Sequence, residues 1–96
     1  MLSDIFKNMG DLEAKVKYLK MIIEAIGSLE PDTYPAIVLY EEFKKRYPET
    51  NYLLFRSMLE VLEEIGAAEL GIDEVHLKPN WTKIVNSFIE NAKDKN

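Results

Sequence analysis

The sequence predicts a small, mainly helical α+β domain. Four stretches carry apolar residues at helical spacing, and two short strand-like segments lie between the third stretch and the fourth. Proline or glycine stands at most of the breaks between these segments, where helices commonly begin or end. With 96 residues, 47% hydrophobic and 30% charged, the chain suits one compact domain with a single core.

The first helix is predicted over residues 11–26, with Gly27 as its C-terminal stop. Its apolar residues recur every three or four positions and form one stripe. Residues 1–10 fit either an N-terminal arm or a short helix. The stripe contains Leu12, Val16, Leu19, Ile23 and Ile26.

A pair of helices joined by a short turn is predicted next. Pro35 suits the first turn of the earlier helix and Pro48 ends it. Thr50 or Asn51 is expected to cap the later helix, which Gly66 ends. The expected inner residues are Ala36, Leu39, Tyr40, Phe43 and Tyr47, then Leu54, Met58, Val61, Leu62 and Ile65, with Leu53, Phe55 and Leu59 on the flanks of the later helix.

Residues 67–70 and 74–78 read as two strands around a Gly-Ile-Asp turn, and residues 32–34 could add a third strand. The final helix follows Pro79 and Asn80. The domain core is therefore predicted over residues 11–78, and residues 79–96 form an amphipathic helix with a polar tail. The apolar face of this helix holds Trp81, Ile84, Val85, Phe88 and Ile89.

A helix pair followed directly by a small hairpin is typical of a winged helix-turn-helix domain. The stretch LYEEFKKRYPETNYLLFRSMLEVLEEIGAAEL resembles winged-helix domains of archaeal regulators and the C-terminal winged helix of archaeal origin-recognition proteins. In such domains Leu59, Leu62 and Gly66 would pack the recognition helix and begin the wing. The resemblance implies a fold with a three-helix core, a small β-hairpin wing and extra terminal helices.

The resemblance also implies DNA binding, as in a transcriptional or replication-associated regulator that reads DNA through its third helix. The basic cluster Lys44, Lys45 and Arg46 would hold the DNA backbone, unless these cations only suit the C-terminal end of their helix. Arg56 could read a base, or it could pair with Glu60 on a solvated face. The remaining candidate DNA contacts are Thr50, Asn51, Tyr52, Ser57 and Lys78.

Charge argues against DNA. The chain has a net charge of -5, whereas DNA-binding surfaces are usually basic. Residues 49–66 set four glutamates against Arg56, and residues 67–78 set three acids against Lys78. The alternative hypothesis is an acidic winged-helix module that binds a protein within a larger complex. Its surface would include Tyr52, Leu53 and Leu59.

Other features are less specific. The apolar face of the last helix predicts either a homodimer interface or the completion of a monomer core. His76 is the only histidine, cysteine is absent and no catalytic motif occurs, so we expect no enzyme activity, metal or cofactor. With no signal peptide or membrane span, the expected location is cytoplasmic. The absence of Gln and Cys beside abundant Glu, Lys and Ile indicates a thermophilic source.

Overall fold

The structure, a computed structural model, describes the backbone of residues 2–94 and the side chains of residues 12–93. Within these residues four helices accompany a three-stranded antiparallel sheet, so the fold is mainly helical α+β and is compatible with a winged helix. None of the described helices is long and apolar enough to cross a lipid bilayer. In chain order the elements are α1 (Leu2–Ile26), β1 (Thr33–Pro35), α2 (Ala36–Arg46), α3 (Tyr52–Glu64), β2 (Ala68–Leu70), β3 (Glu74–Leu77) and α4 (Trp81–Asp94).

Helix α1 runs without a break from Leu2 to Ile26, so its backbone includes the segment for which the sequence left an arm or a short helix open. The helix ends where Gly27 was expected to stop it. Its core contacts come from Leu19, Ile22 and Ile26, whereas Ile23 is only partly buried. The predicted stripe missed Ile22, while Val16 and Ile23 pack against the core only partly buried, because α1 packs against α2, α3 and α4 together and not against a single neighbour.

The turn between α2 and α3 is fixed by local hydrogen bonds. Asn51 caps α3, since its side-chain oxygen accepts a 2.8 Å bond from the N–H of Leu54. Thr50 is buried instead, and its carbonyl accepts a 3.0 Å bond from the hydroxyl of Tyr40. Of the two residues expected as caps, the structure selects Asn51. The turn is therefore held from both its flanking helices.

The inner face of α3 is wider than the sequence predicted. Phe55 and Leu59, which were expected on the flanks, are both fully buried. The ring of Phe55 lies 5.1 Å from that of Phe43 on α2. Helix α3 contacts both α1 and strand β2. Because two elements pack on different sides of the helix, its buried face is wider than a single stripe. The expectation that Leu59 lies near the surface was wrong for the same reason.

The sheet has the strand order β1-β3-β2, with β1 one residue later than predicted. Both outer edges are partly blocked. On β1, the N–H of Thr33 bonds to the carboxylate of Asp32 at 2.7 Å, and Pro35 has no N–H. On β2, the N–H of Leu70 donates to Glu63 at 3.0 Å. These contacts leave few donors for an added strand.

Helix α4 lies along α1 and completes the core of the single chain. Trp81, Val85 and Ile89 are buried, and Ile84 and Phe88 are partly buried. The indole N–H of Trp81 donates a 3.2 Å bond to the carbonyl of Leu29, which ties the start of α4 to the loop after α1. The burial of these residues within one chain matches the monomer-core alternative, and the homodimer stays a prediction.

Candidate recognition surface

The basic cluster at the end of α2 is largely paired within the chain. The ammonium of Lys45 lies 2.8 Å from a carboxylate oxygen of Glu42. The guanidinium of Arg46 reaches across to Glu24 on α1, at 3.5 Å. Lys44 stands over the ring of Tyr40, with its nitrogen 5.4 Å from the ring centre. Two of the three cations therefore already face a carboxylate.

A small polar cluster holds Arg46 on the α1 side of the molecule. The hydroxyl of Tyr47 donates a hydrogen bond to Glu24. This bond, with a further contribution from the charge of Arg46, lowers the pKa of Glu24. Hydrogen bonding to Tyr47 and the charge of Glu24 raise the pKa of Arg46. Arg46 is thus directed towards α1 and not towards the exposed face of α3.

Several polar residues at the start of α3 are used by the fold itself. The side chain of Asn51 is the helix cap, and Thr50 is buried in the turn. The hydroxyl of Ser57 donates a 3.2 Å bond to the carbonyl of Leu53 in the preceding turn. All three were predicted to contact DNA. To do so, Asn51 would have to give up its cap and Ser57 its bond to the backbone.

The two other predicted cationic contacts are Arg56 and Lys78. One terminal nitrogen of Arg56, Nη1, is buried and has no hydrogen-bond partner among the described residues. The alternative that Arg56 pairs with Glu60 is not seen among the ion pairs within that part of the chain. Lys78 lies 3.8 Å from Glu69 on β2. Neither residue therefore presents a fully exposed, unpaired cation.

What the surface does present is apolar. Leu53 at the start of α3 is 80% exposed, Ile72 in the hairpin turn is 91% exposed and Ile37 on α2 is 53% exposed. Tyr52 is 37% exposed, and its ring meets that of Tyr40 edge-on at 5.3 Å. We call Ile37, Tyr52, Leu53 and Ile72 the apolar patch.

The parts of the apolar patch are linked through the backbone and through Tyr40. The N–H of Ala36 donates a 2.8 Å bond to the carbonyl of Asp73, which joins the residue before Ile37 to the residue after Ile72. Ile37 and Tyr40 are three residues apart on α2 and so share a helix face. Tyr40 in turn contacts Tyr52 on α3. The patch thus extends from the hairpin turn across α2 to the start of α3.

Acidic residues follow each part of the apolar patch along the chain. Glu41 follows Ile37 by about one helical turn, and Glu60 follows Leu53 by about two. Asp73 and Glu74 come directly after Ile72 in the hairpin. All four are exposed and have no ion pair among the described residues. Lys45 is hydrogen-bonded to Glu42, which together with the charge of Glu41 raises the pKa of Lys45, and Arg56 is partly buried.

Ile37 and Ile72 were not predicted from the sequence to be surface contact residues. Ile37 stands beside the buried positions Ala36 and Leu39 but lies outside their stripe. Ile72 occupies a hairpin turn, a place where Gly, Asn, Asp and Ser are common. An apolar residue at a position that the local pattern reserves for polar ones was the signal that could have identified both.

Comparison with known proteins adds no family to this description. No protein-family model matches the chain, no curated protein is significantly similar to it, and no solved structure matches it.

Proposed function

We propose that this chain is a winged-helix module that binds a protein partner through the α2–α3 face and the hairpin turn. The order of the elements and the central position of β3 in the sheet support the winged-helix assignment. In that fold α3 is the recognition helix and the β2–β3 hairpin is the wing. The apolar patch includes exposed residues of both elements and of α2, which links them.

The observation that carries the proposal is Leu53. It is 80% exposed at the start of the recognition helix, where a DNA reader commonly places polar or basic side chains. Tyr52, beside it, continues the apolar surface towards α2. Large apolar and aromatic side chains that are exposed together are characteristic of the centre of a protein interface.

DNA binding is the second candidate function, and one arrangement favours it. Lys44 and Tyr52 both contact Tyr40, so a cation stands close to the start of α3, as it would beside a DNA backbone. The pairing of Lys45 and Arg46 with acids of the same chain weakens this reading. A phosphate would have to compete with a carboxylate for each of them.

The test compares wild type with Leu53→Ser and with a matched control, Val38→Ser. Val38 is also exposed, at 41%, but it lies about 160° around α2 from Tyr40, the residue through which the patch reaches α3. Each protein is immobilised and exposed to a lysate of the cells that carry the gene. A protein that is retained is then purified, and its Kd for each variant is measured. We expect Leu53→Ser to weaken binding about tenfold or more, since it removes the burial of one leucine side chain, and Val38→Ser to leave it unchanged.

Binding to a mixed-sequence DNA duplex is measured in parallel at low and moderate salt. The proposal predicts no salt-sensitive duplex binding that depends on Arg56. Duplex binding that Arg56→Ala abolishes and Leu53→Ser does not affect would overturn it in favour of DNA.

A further inference from the structure

Resting on the proposed function, we propose that the partner supplies a cationic amphipathic segment, with Lys or Arg residues around one or two large apolar side chains. The apolar side chains would contact the apolar patch. The cations would face the acids around it, namely Glu41, Glu60, Asp73 and Glu74. The proposal rests on the juxtaposition of an exposed apolar patch with carboxylates that have no ion pair among the described residues.

Charge selects a cationic occupant. Two of the acids stand on α2 and α3 and two in the β2–β3 hairpin, so each of the three parts of the patch has an acid of its own. Lys44 opposes them only where α2 approaches α3, and one nitrogen of Arg56 is turned into the protein. Surfaces of opposite charge attract each other and speed association, whereas like charges brought together across an interface weaken binding. DNA and anionic lipid surfaces are both disfavoured by this field.

A second copy of the chain is a poor occupant for the same reason. In a two-fold symmetric dimer the same patch meets itself, so Glu41 and Glu60 of each copy would lie close to the acids of the other.

The area of the apolar patch also favours a short segment as its partner. Four exposed side chains offer roughly a few hundred Å², a size common for the largest patch on a monomer. A stable interface between two folded proteins typically needs about 800 Å² on each side.

The probe is a synthetic helical peptide with Lys on one face and Leu and Phe on the other. Its matched control has Glu in place of every Lys. Binding is followed by NMR on the nitrogen-15-labelled full chain, so that the perturbed amides locate the site. We expect the Lys peptide to shift the amides of Ile37, Tyr52, Leu53 and Ile72, and to bind less well as salt rises.

Variants of the full chain then separate apolar from charge contacts. Leu53→Ser should weaken the Lys peptide about tenfold, as expected for one leucine side chain. Glu60→Gln and Glu74→Gln should each weaken it about two- to fivefold, as expected for single exposed charge pairs. The control Glu90→Gln, on the exposed face of α4, should have no effect.

Different failures have different meanings. If the Glu peptide binds the patch as well as the Lys peptide, the cationic partner is wrong while the protein-binding proposal stands. If the Lys peptide shifts amides near every surface acid and Leu53→Ser has no effect, the binding is non-specific and the inference fails. Patch shifts that appear on concentrating the protein alone would assign the patch to a second copy and overturn the inference. If a DNA duplex, and neither peptide, shifts the patch, the proposed function itself fails.

Discussion

Replacing Trp81 with Phe tests whether α4 belongs to the core of a single chain. Trp81 is 1% exposed, and its indole N–H bonds to the carbonyl of Leu29 at 3.2 Å. Phenylalanine cannot make this bond, and the loss of one partly buried hydrogen bond costs about 1 kcal/mol. The smaller ring also leaves a void of roughly a few tens of Å³, which at about 24 cal/mol per Å³ adds about 1 kcal/mol.

The expected loss for Trp81→Phe is therefore about 2 kcal/mol in the free energy of unfolding. For a domain of this size such a loss lowers Tm by about 8–16 °C. Urea and thermal unfolding, followed by far-UV circular dichroism, measure both quantities without needing the tryptophan signal. Lys83→Ala on the exposed face of α4 is the control, and its effect should stay within about 0.5 kcal/mol.

The dependence of Tm on protein concentration tests whether Trp81 is buried within a single chain. If α4 is buried within one chain, the Tm of wild type does not change over a hundredfold range of concentration. If a second copy supplies the burial of Trp81, Tm rises with concentration, because association stabilises the folded state by mass action. A rising Tm, or a loss below about 0.5 kcal/mol for Trp81→Phe, would show that the core has been assigned wrongly.

Three further changes probe the turns and the polar cluster. Asn51→Ala removes the cap of α3 and should destabilise the chain by about 1 kcal/mol in urea unfolding, whereas Asn51→Asp should retain most of the stability. Gly66→Ala should destabilise it by about 1–2 kcal/mol, because Gly66 has φ +85° and a side chain meets no neighbour there, so the effect is purely conformational. Tyr47→Phe removes the bond that lowers the pKa of Glu24, so NMR titration should show that pKa rising towards its ordinary value. The lowered folded-state pKa of Glu24 contributes stability at neutral pH that is lost as the pH falls through that pKa, and Tyr47→Phe should reduce that loss.

The positions of the elements could be predicted because local signals fix them. Pro35, Pro48 and Gly66 bound α2 and α3 by restricting the backbone or by permitting a conformation that other residues resist. The alternation of Val75 and Leu77 with exposed neighbours marks strand β3. Such signals act within a few residues of the chain, so they can be recognised without knowing what lies opposite.

The width of the buried face could not be predicted in the same way. Phe55 and Leu59 lie beside the stripe that helical spacing identifies on α3. They are buried because α1 and β2 both pack on the helix, and the ring of Phe55 also lies against that of Phe43 on α2. Which flank of a helix is covered depends on the packing of elements that are distant in the sequence. The spacing of apolar residues within one helix does not show where those elements lie.

Ion pairing across the fold was equally inaccessible from the sequence. Lys15 bonds to Glu64 at 2.6 Å although 49 positions separate them, and Arg46 meets Glu24 on another helix. A cluster such as Lys44, Lys45 and Arg46 therefore reads as basic in the sequence although two of its members face acids in the fold. Only the structure shows how much positive charge remains available to a ligand.

This pairing also explains why the net charge alone does not decide the function. A chain with a charge of -5 can still bind DNA if its cations are gathered on one unpaired surface. Here Lys45, Arg46 and Lys78 each lie within 4 Å of a carboxylate, so a phosphate would replace an existing interaction and gain less from each contact. The apolar side chains of Leu53 and Ile72 have no such competing interaction within the described chain, because water is their main neighbour. Covering them gains the full free energy of removing apolar surface from water, and for this reason we propose a protein partner for this face rather than a nucleic acid.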